Sequence, residues 1–210
     1  MAVKILGLSD IEVPAVYSQH ITERFNDIDL VVSCGDLPAV YLEFVVSMLD
    51  LPLYYVQGNH VTRLEDHEGN VQTDPTGAIN LHKKVFYDRE NDLILAGIEG
   101  SLRYKPGPYQ YSQRRMWLMV FSLIPRLIWN KIFHGRYLDV FVSHAAATGL
   151  HDADDYAHRG VNAFRWLIDT FKPRLHLHGH VHFYNPLAPR ESQYKATRVI
   201  NTYGYREITL

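Results

Sequence analysis

Short apolar runs alternate with amphipathic stretches along this chain. Residues 3–8, 30–33, 53–56, 93–97, 140–143 and 175–178 are apolar runs that stop at polar or glycine residues, as buried strands do. Between them, apolar positions spaced three and four apart predict helices over residues 15–25, 40–49, about 113–133, and 161–171. The last of these should end at Lys172-Pro173, because a residue before proline is steered out of the helical region. Beyond His182 the chain should turn through Pro186 and Pro189. Two strand-like runs, 198–201 and 206–210, then predict a hairpin around Gly204. The first part reads βαβαβ and the tail antiparallel, so the expected class is α/β with mixed sheets.

The chain has 210 residues, enough for one domain with a full core and no covalent staples. We expect a single domain over 1–210 with a helical insertion at about 106–135. The net charge of -2 argues against extended nucleic-acid binding. A single cysteine, Cys34, excludes an internal disulfide and fits a reducing, cytoplasmic setting. The N-terminal residues read as a strand rather than a signal peptide. No run reaches the ~18 apolar residues expected of a membrane-spanning helix, and the nearest is Met116 to Ile124.

Twelve histidines are the unusual feature of the composition. Their chemistry emerges from what sits where each strand stops. The first strand ends in Ser9-Asp10-Ile11-Glu12, the second in Cys34-Gly35-Asp36 and the third in Gln57-Gly58-Asn59-His60. The 140–143 strand runs into His144, and the 175–178 strand into Gly179-His180-Val181-His182. Strand carboxyl ends form the ligand crevice of open α/β sheets. Clustered there, these side chains would repel one another unless cations compensate, and the mixed oxygen and nitrogen set suffices for two divalent ions. Asp10 or Asp36 alone would read as a helix N-cap, and His144 alone as a core histidine; such roles give no reason for this order. His176 and His178, two apart on one strand, should share a face and act as core residues or as supports that orient the ligands.

The ordered set Asp-x-acidic, Gly-Asp, Gly-Asn-His, His, Gly-His-x-His resembles the calcineurin-like metallophosphoesterase superfamily over residues 3 to about 182, most of the chain. The resemblance implies a four-layer αββα sandwich of two mixed β-sheets flanked by helices, with a dinuclear metal centre. It places Asp10, Glu12, Asp36 and His182 on one ion, and Asp36, Asn59, His144 and His180 on the other. His60 would contact the phosphate and assist the leaving group. The implied activity is phosphoester hydrolysis, as phosphodiesterase or phosphatase, by a metal-bridging hydroxide. Manganese is the foremost candidate, with iron, zinc or magnesium as alternatives. Glu12 stands where the superfamily usually has histidine; as a ligand it would harden the first site and lower its net charge.

Further candidates lie on loops. Asp152, His158 and Arg159 follow the His144 strand, and Arg103 lies in the segment 97–104; each could meet substrate. The aromatic and basic stretch 114–133 could pack on the sandwich, pair two copies, or touch lipid. Two rival functions follow: a catalytically silent scaffold of the same fold, or a hydrolase of a lipid-linked phosphate.

Overall fold

A computed structural model describes residues 2–60, 64–65, 71–72, 74–182 and 190–210. Pro186, Pro189 and His67 lie outside the described residues. Strands and helices follow in the order β1 (Lys4–Ser9), α1 (Ile21–Arg24), β2 (Leu30–Ser33), α2 (Ala39–Leu49), β3 (Leu53–Tyr55), β4 (Leu64–Glu65), β5 (Val71–Gln72), β6 (Ile79–Asn80), β7 (Lys84–Asp88) and β8 (Leu93–Ile98). The second half contains β9 (Ser101–Leu102), β10 (Gln110–Tyr111), α3 (Gln113–His134), β11 (Val140–Ser143), α4 (Asn162–Phe171), β12 (Leu175–His178), β13 (Glu191–Tyr194), β14 (Thr197–Asn201) and β15 (Gly204–Thr209).

Two mixed sheets form the centre, in strand orders β15-β1-β2-β3-β6 and β13-β14-β12-β11-β8-β7. Period-two burial builds the layers. Ile5, Leu30, Val32, Val140, Val142, Leu175 and Leu177 point between the sheets. Their neighbours Leu6, Leu8 and Val31 pack with Ile21 of α1 and Leu42 and Val45 of α2. Phe141 and Val199 pack with Met116, Leu123 and Leu127 of α3 and with Phe164 and Leu167 of α4. The result is the αββα sandwich, with α3, in the segment expected as an insertion, supplying part of an outer layer.

Local chemistry explains the helix ends. The Ser112 side chain accepts a hydrogen bond from the Arg115 N–H at 3.2 Å, the standard satisfaction of an orphan donor at an N-terminus. At the other end Gly135 takes φ 72°, and Lys131 Nζ donates to its carbonyl. By length and composition α3 could cross a membrane, but its inner face is buried against the domain.

Two expectations are corrected, and strands appear that the pattern did not predict. The 198–201 and 206–210 runs do not form a hairpin: β14 pairs with β12 and β13 in one sheet, and β15 pairs antiparallel with β1 in the other. Residues 15–25 are helical only over Ile21–Arg24, because hydrogen-bonded turns occupy the stretch after Pro14. The edge strand β7, paired antiparallel with β8, is an addition; its alternating exposure gives no continuous apolar run.

Candidate metal centre

The carboxyl ends of β1, β2, β11 and β12, and the loop after β3, meet at one place. Three residues there, Asp10, Asp36 and His180, have φ of 66°, 56° and 67°. Non-glycine residues rarely adopt the left-handed region, and its cost is typically accepted where function requires a particular side-chain direction. Each lies just beyond its strand, where the reversal aims a side chain back into the cluster.

One ligand atom each from Asp36, His144 and His180 lies within 4.8 Å of the others. His144 is fully buried; its Nδ1 donates to the Cys34 carbonyl at 2.8 Å, which leaves Nε2 facing inward. That atom lies 2.9 Å from Asn59 Oδ1 and 3.2 Å from Asp36 Oδ2. Two acceptors therefore converge on one nitrogen. Burial opposes a charge on this ring, yet Asp36, with help from Asp10 and the Cys34 carbonyl, pushes His144 up to about 9. The two nearby carboxylates thus favour positive charge at this point. Burial also pushes Asp36 upward, but His144 and the His60 N–H override it and hold the carboxyl well below its ordinary range.

His180 is buried and stays neutral: burial, then the His144 charge, lowers it to about 3. Its Nε2 donates to the Ala157 carbonyl at 2.9 Å, so Nδ1 is the atom available to a cation. The Asp10 carboxylate accepts the His180 N–H at 3.0 and 3.2 Å. His182 Nε2 lies 3.7 Å from Asp10 Oδ1, and Asp10 raises it. Asp10, Asp36, Asn59, His144, His180 and His182 are thus linked in one network. Its donors are carboxylate, amide oxygen and imidazole, a set that fits a divalent cation.

Two glycines permit the close approach. A Cβ at Gly58 would stand 1.9 Å from Asp36 Oδ1, and one at Gly179 would stand 2.6 Å from Asp10 Oδ2.

Glu12 is exposed, and among the described residues no hydrogen bond or ion pair joins it to this cluster. The tight turn in which the Ile11 N–H bonds to the Ser9 carbonyl at 2.8 Å leads the chain outward, and the Glu12 charge is felt instead by the Tyr41 hydroxyl. His60 stands at the rim, its N–H donating to Asp36 Oδ1 at 2.7 Å. Sequence reasoning missed its partner: the Tyr104 hydroxyl lies 3.1 Å from His60 Nε2 and accepts from Asn59 Nδ2 at 3.0 Å. Tyr104 adjoins Arg103 in a segment already marked by chemistry, but a tyrosine carries no motif of its own.

Arg103 and Arg159 are exposed and line one cavity of roughly 450 Å³, together with Gln113 and Asn162. Arg103, Tyr104 and Tyr156 line a second cavity of roughly 520 Å³. His158 reaches the centre, its ring 5.0 Å from that of His180. Asp152 borders the first cavity, but its carboxylate is occupied as a loop staple, accepting the N–H groups of Gly149 and Gly160. His176 and His178 are buried on the helix-facing side of β12. His176 Nε2 lies 2.9 Å from Ser143 Oγ, in the residue before His144.

No protein-family model and no curated protein matches the chain. Solved structures do. TT1561 of Thermus thermophilus superposes with a TM-score of 0.63 at 15% identity, over 100% of this chain and 99% of that one. A second solved structure superposes with a TM-score of 0.65 at 13% identity, over 100% and 95%. A hypothetical protein from Thermus thermophilus gives 0.50 at 15% identity, over 95% of this chain and 75% of its own. At such identities the likeness is one of fold.

Proposed function

We propose that this chain, which has the fold of the calcineurin-like metallophosphoesterases, is a metal-dependent phosphoester hydrolase. The observation that carries the proposal is the convergence of Asp36, Asn59, His144 and His180 on one cation-demanding point. Asp36, His144, His180 and Asn59 would hold one divalent ion; Asp10, His182 and the shared Asp36 would hold a second. Manganese is the first choice, with iron, zinc or magnesium as alternatives. With Glu12 outside the cluster, two carboxylates face two ions. When bound, such ions supply activated water and neutralise phosphate oxygens.

The chain's own residues do the rest. His60, at the rim, binds a phosphate oxygen and delivers a proton to the leaving group, a contribution of roughly 10²–10⁴-fold in rate. Tyr104 holds His60 and Asn59 in register. Arg103 and Arg159 receive the outer part of the substrate, and His158 packs on His180. Cys34 is buried, and a cytoplasmic location belongs to this reading.

Hydrolysis of bis-p-nitrophenyl phosphate with manganese tests the proposal. Turnover should be lost in Asp36→Ala and in His60→Ala. No turnover with manganese, iron, zinc or magnesium would overturn it in favour of a silent scaffold.

A further inference from the structure

Helix α3 has two apolar faces. Met116, Met119, Val120, Leu123 and Leu127 are buried beneath it against β-sheet and α4. At 100° per residue, the exposed Leu118, Phe121, Ile128, Trp129, Ile132 and Phe133 fall opposite these, within an arc of about 140°. Their exposure is that of true surface residues: 60% for Leu118, 50% for Trp129, 70% for Ile132 and 59% for Phe133. Trp129 stacks on Phe133 with ring centroids 4.2 Å apart, so these two rings form one continuous surface at the C-terminal end of the stripe, while Phe121 packs on Trp117 and Trp166. A contiguous apolar patch on the surface marks an interaction site, whereas isolated exposed side chains do not.

Charge identifies the partner. Between Gln113 and His134 the sequence has Arg114, Arg115, Arg126 and Lys131 and no Asp or Glu, in a chain whose net charge is -2. On the helical wheel Arg126 and Lys131 fall on opposite flanks of the stripe, and Arg114 and Arg115 stand at its N-terminal end. Positive charge is thus concentrated where the apolar surface is. A second copy of this chain is disfavoured, because a two-fold contact along α3 would set one basic rim against another with no acid in either helix. Spanning a bilayer is disfavoured too: the inner face is committed to the domain core, and Arg126 sits in the middle of the helix.

We infer that the outer face of α3 lies in the surface of an anionic lipid bilayer. Leu118, Phe121, Ile128, Trp129, Ile132 and Phe133 sink between the acyl chains, and the arginines and Lys131 reach the lipid phosphates. Gln113, at the start of the helix, lines the same cavity as Arg103 and Arg159, so bilayer contact places the mouth of that cavity near the lipid headgroups. The inference stands on the helix surface and does not depend on hydrolysis.

Co-sedimentation of the full chain with phosphatidylcholine vesicles, with and without phosphatidylglycerol, tests it. The protein should pellet with the anionic vesicles and be released by high salt. The double variant Trp129→Ser, Ile132→Ser should lower the bound fraction at least about tenfold. Arg126→Glu with Lys131→Glu should abolish the preference for anionic lipid. These positions are exposed, so native helix content by circular dichroism and a cooperative melt verify folding in each variant, the Lys131→Glu variant melting lower for loss of its bond to the Gly135 carbonyl. Failure of the protein to pellet with anionic vesicles would overturn the inference, as would equal binding by the Trp129/Ile132 variant. A dimer in sedimentation equilibrium that the same substitutions dissolve, without vesicle binding, would assign the face to a second copy instead.

Discussion

Gly58→Ala adds one methyl group at the point where the β3 loop crosses Asp36. The added Cβ would lie 1.9 Å from Asp36 Oδ1 and 2.5 Å from the Asp36 backbone nitrogen, where ordinary contact begins at 3.4 Å. The shortfall against Oδ1 is about 1.5 Å, and the backbone nitrogen blocks retreat in the other direction. Metal ligands tolerate displacements of roughly 0.2 Å, so the carboxylate cannot stay in place and still bind. Its bond from the His60 N–H, at 2.7 Å, goes with it. Overpacking of this kind costs about 1–3 kcal/mol of stability, within what a typical domain survives. The expected result is a folded protein, melting somewhat lower, whose manganese affinity falls at least about 100-fold. Isothermal titration of metal-stripped protein reads the affinity, and circular dichroism reads the fold. Unchanged affinity at an unchanged melting temperature would refute the reasoning, because the methyl would then have found room and Asp36 would not be clamped.

Tyr104→Phe removes the hydroxyl that joins Asn59 to His60; turnover should fall about tenfold with metal content intact, and an unchanged kcat would show that His60 positions itself. Glu12→Gln should alter manganese affinity less than about threefold, while Asp10→Asn lowers it about 100-fold; equal losses would return Glu12 to the ligand set. For pH, burial depresses His178 to about 3 and His82 to about 4 in the folded state, from 6.5 when free. The unfolded chain takes up these protons first, so stability is full above 6.5 and drains as pH falls toward 4, by up to ~1.4 kcal/mol per pH unit for each group. His144, raised to about 9, works in the opposite window, losing its contribution as pH rises from 6.5 through 9. Urea unfolding of metal-free protein near pH 7 and near pH 5 should show the loss, and equal midpoints would reject it.

The elements that sequence pattern makes legible are those whose burial is complete. β2, β11 and β12 are buried at every position and coincide with their apolar runs. α4 ends at Phe171, with Lys172 as its left-handed cap just before Pro173. β7 escapes notice because every second residue faces out, and the expected hairpin fails because local pattern does not reveal which of two sheets a strand will join. In the site, strand-end motifs point to Asp10, Asp36, Asn59, His144, His180 and His182, which hydrogen bonds and close contacts join in one network. What they leave out is direction: Asp10, Asp36 and His180 take left-handed backbone at the strand ends, whereas Glu12, two residues beyond Asp10, is exposed. Tyr104 is invisible to a motif because only the folded loop brings its hydroxyl to His60.

The pairing of β1 with β15 has a consequence for biosynthesis. Lys4 is registered against Thr209, about 200 residues away in the chain. During translation the edge of β1 opposite β2 must wait unpaired while all the intervening chain is made. Thr202, whose hydroxyl meets Ser9 Oγ at 3.0 Å and the His178 carbonyl at 3.1 Å, joins the two sheets at that same late moment. Completion of the crevice at the strand ends therefore waits on the slow closure of a very long loop, and the β1 edge is exposed until then to edge-to-edge association.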